Sequence, residues 1–148
     1  MAKEIERKFL VVGDRFIAMS QQHVEIRQGY ISRRPEGTVR VRIFGDKAFL
    51  TVKGKNRGAV RSEWEYAVPV TDAMDMLAEV ADGAILRKTR YYVPFADRTW
   101  EVDVFHGSHE GLITAEVELP SADAEVSLPP FVGEEVTGDS RYYNSNLG

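Results

Sequence analysis

The chain has 148 residues, 43% of them hydrophobic, a length and composition suited to one domain with its own core. Its formal net charge of −4 offers no global basic field for nucleic acid, and the absence of cysteine excludes disulfides and thiolate metal sites. No stretch approaches the about 20 apolar residues of a membrane span, and the start M-A-K-E-I-E-R-K lacks a signal peptide's apolar run, so a cytoplasmic protein is expected.

Met1 to Leu10 reads as a strand in which Glu4, Glu6 and Lys8 share one face and Ile5, Arg7 and Phe9 the other. Asp14 to Met19 reads as a short helix with Asp14 as its cap. Glu25 to Arg33 is a strand, and Pro35-Glu36-Gly37 turns it into Thr38 to Phe44, where Arg40 and Arg42 share a face with Thr38. After Gly45-Asp46-Lys47, Ala48 to Lys53 sets Lys53 beside Thr51 and Phe49. A glycine-bounded basic loop, 54–59, carries Lys55 and Arg57.

Arg61 to Val68 then puts Arg61, Glu63 and Glu65 on one face and Trp64, Tyr66 and Val68 on the other. Thr71 to Ala81 is the best helical stretch, capped by Thr71 or Asp72, with Met74, Leu77, Ala78 and Ala81 as its apolar stripe. Strands resume at Ala84 to Val93 with Lys88 and Arg90, at Thr99 to Phe105 with Glu101 and Asp103, and at Leu112 to Leu119 with Glu116 and Glu118. His106 and His109 fall in a glycine turn and read as loop histidines, not as zinc ligands. The tail from Pro120 has loop composition and ends in a short helix after Gly138-Asp139, so the chain reads as a single domain over 1–148.

The shared faces carry eight acids (Glu4, Glu6, Glu63, Glu65, Glu101, Asp103, Glu116, Glu118) and seven bases (Lys8, Arg40, Arg42, Lys53, Arg61, Lys88, Arg90). An antiparallel sheet with one wet face would tolerate them. Many short strands with tight turns suggest instead a closed, mainly β sheet of α+β class, with the charges turned inward. Buried charges must pair or bind ions. Carboxylates without histidine or cysteine suit Mg²⁺ or Mn²⁺, and arginine forks suit phosphate oxygens, which together describe a polyphosphate site with metals.

E-I-E-R-K resembles the ExExK motif of the CYTH domain, the triphosphate tunnel metalloenzyme superfamily. Q-G-Y-I-S (Gln28 to Ser32), V-R-V-R (Val39 to Arg42), T-V-K-G (Thr51 to Gly54) and E-W-E (Glu63 to Glu65) resemble further blocks. K-T-R-Y (Lys88 to Tyr91), W-E-V-D-V-F (Trp100 to Phe105), A-E-V-E-L (Ala115 to Leu119) and the tail Glu135 to Asn144 continue the likeness in order. The resemblance implies a tunnel of eight antiparallel strands and metal-dependent hydrolysis of a triphosphate by in-line attack of water.

By position, Glu4, Glu6, Glu116 and Glu118 match the family's metal-binding acids, and Glu63, Glu65 and Asp103 match further acids counted with that set. Lys8, Arg40, Arg42, Lys53, Lys88 and Arg90 match its triphosphate-binding, catalytic bases. Arg61 and Glu101 have no firm counterpart, and Tyr30 reads either as a tunnel residue or as packing. Inorganic tripolyphosphate is the expected substrate, since no segment is assigned to a nucleobase or thiazole ring. A thiamine triphosphatase, a nucleoside triphosphatase, a class IV adenylate cyclase and a non-catalytic polyphosphate sensor remain as alternatives. A small-molecule triphosphate partner is expected, with neither nucleic acid nor membrane.

Overall fold

A computed structural model describes residues 3–147, with the Ser145 side chain left out. Met1, Ala2 and Gly148 lie outside the described residues. The period-two runs become β1 (Lys3–Val11), β2 (Gln22–Arg34), β3 (Gly37–Phe44), β4 (Lys47–Gly54), β5 (Val60–Val68), β6 (Asp82–Phe95), β7 (Arg98–Phe105) and β8 (Ile113–Glu118). Between them lie helices α1 (Arg15–Met19) and α2 (Val70–Glu79). A short edge strand, β9 (Val132–Glu135), precedes a 3₁₀ turn at Ser140–Tyr142 and helix α3 (Asn144–Leu147).

Neighbouring strands run in the order β5-β4-β3-β2-β6-β7-β8-β1, all antiparallel, and β1 returns to pair with β5. The sheet is therefore a closed eight-stranded barrel, which leaves no open edge among those strands. Closure is brief: Lys3, Glu4 and Ile5 face Ser62, Arg61 and Val60, and from Phe9 onward β9 lies on that side of β1. The β1–β8 pairing sets Glu6 opposite Glu118 and Lys8 opposite Glu116.

The apolar core lies outside the barrel wall. Phe9, Val93, Trp100, Val102, Ala115 and Val117 are buried beneath Phe16 of α1 and Phe131. Each such large side chain contributes about 1.5–3 kcal/mol on leaving water. A second cluster joins Val41, Ile43 and Ala48 to Ala73 of α2. Gly29 lets this helix approach, because a Cβ there would lie 2.9 Å from Leu77 and 3.1 Å from Ala81. No helix among the described residues is long and apolar enough to cross a membrane.

The helix stripe differs from the expected one. Pro69, not Thr71 or Asp72, precedes the first turn, and no side chain caps it. Starting at Val70 turns Ala73, Met76 and Leu77 inward and leaves Met74 51% exposed. Asp14 likewise stands at the cap position of α1 without a side-chain cap bond.

Candidate active site

With the apolar residues turned outward, the interior holds a cavity of about 270 Å³. Glu4, Glu6 and Lys8 line it from β1, Thr38, Arg40 and Arg42 from β3, and Lys53 from β4. Glu63 and Glu65 of β5 and Glu116 and Glu118 of β8 line it from the two strands that flank β1, and Lys88 and Arg90 line it from β6. Arg61, Glu101 and the buried Tyr30 line it too. Lys55 and Arg57 border a second groove that shares Arg61 with the first.

Asp103 departs from its expected place. It does not line the cavity and is 1% exposed. Arg90 donates to its two oxygens at 2.8 and 3.0 Å, and Lys88 Nζ lies 2.7 Å away. Burial opposes its ionisation, but Arg90 and Lys88 hold the carboxyl well below the usual range. A carboxylate with both oxygens engaged by cations and turned away from the cavity is placed to brace those cations, not to meet a metal in it.

The acids divide by neighbour. Lys53 donates to Glu4 at 2.9 Å, and Lys8 lies 3.1 Å from Glu116. Burial works against both carboxylates, yet these lysines draw their pKa values down. Glu6 makes no ion pair as close as these among the described residues. Desolvation, then Glu116 and Glu4, push its carboxyl well above the ordinary value, with Lys53 opposing them. Acids that raise one another's pKa in this way lack positive charge between them, and four hard oxygen donors of this kind fit a divalent cation. Among the described residues, no three acidic or imidazole side chains converge as a ready-made centre.

The bases are under-matched on the other wall. Arg40 and Arg42 lie 3.7 and 3.6 Å from one oxygen of Glu65, so a single carboxylate faces two guanidiniums. Burial, then Arg40 and Arg90, lower Arg42 to about 10. Lys88 is fully buried, and desolvation brings it down to about 7 despite Asp103. This wall favours a multiply charged anion.

The tail, whose block Glu135 to Asn144 continues the family likeness without any residue being given a role, supplies further contacts. The Tyr142 carbonyl accepts from Lys8 at 2.9 Å, and Asn144 Oδ1 accepts from Lys88 at 3.0 Å. Thr137, Gly138 and Tyr143 also line the cavity. Loop composition hid them, since their position depends on β9 pairing with β1. His106 sits against Thr89, with 2.7 Å between its Nε2 and the hydroxyl.

A closed barrel with acids on two strands and under-matched bases across from them is a triphosphate-tunnel architecture. The chain belongs to the CYTH domain family, whose model matches residues 2–145. It is 48% identical over 147 residues to the inorganic triphosphatase of Acetivibrio thermocellus, spanning 99% of this chain and 94% of that one. To the inorganic triphosphatase of Nitrosomonas europaea it is 39% identical over 148 residues, spanning 97% and 95%. A solved crystal structure of an inorganic triphosphatase superposes with TM-score 0.69 at 37% identity, over 99% and 95%. A conserved protein of Pyrococcus furiosus shares the fold at 19% identity, with TM-score 0.62 over 80% and 79% of the two chains.

Proposed function

We propose that this chain is a metal-dependent inorganic triphosphatase that hydrolyses tripolyphosphate to pyrophosphate and phosphate. The observation that carries this reading is the division of the cavity wall into clustered acids, with Glu6 opposite Glu118 on adjacent strands, and a pair of arginines, Arg40 and Arg42, that share the single carboxylate of Glu65. The near relatives' activity supports it.

Glu4, Glu6, Glu116 and Glu118 would hold a divalent cation, Mg²⁺ or Mn²⁺. Such an ion, when bound, lowers the pKa of coordinated water and polarises phosphoryl oxygens. Arg40 and Arg42 grip phosphate oxygens with paired donors, and Lys53, Lys88 and Arg90 balance the charge that grows on the leaving group. Lys8, between Glu116 and the Tyr142 carbonyl, keeps the acid cluster from repelling itself. Asp103 fixes the Arg90 and Lys88 head groups, so they need not reorganise as charge moves.

Among the described residues the cavity lining includes just two aromatic side chains, Tyr30 and Tyr143, and no cluster of them to grip a base or a thiazole ring, so an organic tail adds little binding there. kcat/KM for tripolyphosphate should exceed that for ATP by at least about tenfold, or about 1.4 kcal/mol of transition-state binding. Pyrophosphate, too short to reach both walls, should be poor. The test is a side-by-side assay of tripolyphosphate, ATP, thiamine triphosphate and pyrophosphate with Mg²⁺ or Mn²⁺, with cyclic AMP measured separately. ATP or thiamine triphosphate leading that series would overturn the substrate, and no hydrolysis of any would overturn the enzyme.

A further inference from the structure

Gln28 is fully buried, and neither atom of its carboxamide has a hydrogen-bond partner among the described residues. It stands opposite Arg42 in the β2–β3 register, two residues before Tyr30, which stands opposite Arg40. Cross-strand partners share a face, with Cβ atoms about 4.5–5.5 Å apart. The Nε atoms of Arg40 and Arg42 are also buried without partners. One hairpin face therefore holds an unmet amide beside two unmet guanidinium donors. A buried polar group left unpaired carries a desolvation cost, so its retention calls for a state in which it pairs. Gln28 does not line the cavity and so stands behind the guanidiniums.

We propose that Gln28 is a positioning residue that holds the Arg42 guanidinium by its Nε when the terminal nitrogens turn to a phosphate. The inference rests on the triphosphatase reading only for the identity of the anion. Arginine's fork offers its terminal nitrogens to phosphate oxygens and leaves Nε to be held from behind. The holder must be an acceptor, which the amide oxygen is. It must also be neutral, since Glu65 already draws on Arg40 and Arg42 and a second carboxylate would cancel the charge that Arg42 offers an anion. Glutamine meets both conditions, whereas leucine or methionine would fill the space without holding anything.

Calorimetric titration with tripolyphosphate in EDTA, together with steady-state kinetics in Mg²⁺, tests this. Gln28→Met should keep or raise Tm, because it removes an unmet amide, yet weaken Kd and KM by about tenfold. In an Arg42→Lys background, where Nε is gone, Gln28→Met should add nothing. Gln28→Glu, isosteric and able to neutralise Arg42, should weaken anion binding at least as much and reads the same coupling if the methionine variant does not fold. Unchanged Kd in Gln28→Met and Gln28→Glu would overturn the proposal, as would a full loss that persists beside Arg42→Lys. A Gln28 effect on tripolyphosphate affinity that vanishes with Arg42 would sustain it even if the wild type proved unable to hydrolyse tripolyphosphate, in which case only the proposed function would fall.

Discussion

Lys53 Nζ lies 2.9 Å from Glu4 Oε1, joining a base proposed to meet the phosphates to an acid proposed to hold the cation. The same ammonium reaches Glu63 at 3.4 Å. It neutralises the acids and would also have to serve the phosphate, so its removal should act on the two ligands in opposite directions. Lys53→Met is expected to weaken tripolyphosphate binding by about tenfold while tightening, or at least preserving, Mg²⁺ binding. Separate titrations of anion and cation would show this, and parallel losses of both would mean that Lys53 supports the wall as a whole.

Glu6→Gln should nearly abolish turnover, because it removes one charge from the cation site at constant shape. Its effect on stability without divalent cation depends on pH. The folded-state pKa of Glu6 is raised, so its contribution to stability is present below about 4.5 and lost as pH rises through the folded value. The glutamine variant should melt at or above the wild-type temperature at pH 8 and show no such gain at pH 4. Scanning calorimetry in EDTA at both values decides. Near-normal turnover at saturating Mg²⁺ would reject the ligand assignment.

Arg40 and Arg42 share Glu65, and each should matter to phosphate more than to the fold. Alanine at either position should raise KM and lower kcat/KM by about tenfold or more, with little change in Tm. Arg40→Lys should recover only part, because an ammonium cannot make the paired contact. Wild-type kinetics in both alanine variants would contradict the inward geometry.

Lys88 carries a pH signature. Its value of about 7 lies below the ordinary 10.5, so between these limits the unfolded chain binds more protons than the folded one. Stability should therefore rise with pH across that window, and the slope should flatten in Lys88→Met. Tripolyphosphate affinity should move the other way, falling above pH 7 as the ammonium discharges, and more steeply in the wild type than in the variant. Equal slopes for both proteins would show that Lys88 keeps its proton throughout.

What could be read from the chain was whatever repeats every second residue. Arg40 with Arg42, Glu101 with Asp103 and Glu116 with Glu118 declare a side of a strand by spacing alone, and eight expected strands appear within a few residues of their places. Depth does not repeat. Alternation puts Asp103 on the inner face but is silent on its lying under Arg90, away from the cavity. The phase of α2 differs because Pro69 stands at the cap two residues before Thr71 and three before Asp72, the polar cap candidates. β9, with a glycine and two acids, has no pattern of its own and exists because β1 offers it an edge. The Tyr142 and Asn144 contacts follow from that docking, so local spacing held no trace of them. Gln28 sat inside a recognised block, yet its unmet amide is a fact of three dimensions.

The three-residue seam between β1 and β5 has a bearing on how the molecule comes into being. The strand bearing Glu4, Glu6 and Lys8 is made well before its partners β8 and β9, which lie about a hundred residues or more further along the chain. Until they emerge, only the short pairing with β5 can hold it, and contacts between segments so distant form slowly. A nascent chain therefore carries an unassembled acidic wall until β8 and β9 have emerged. Its charged interior is put together in one step, when these strands close on β1.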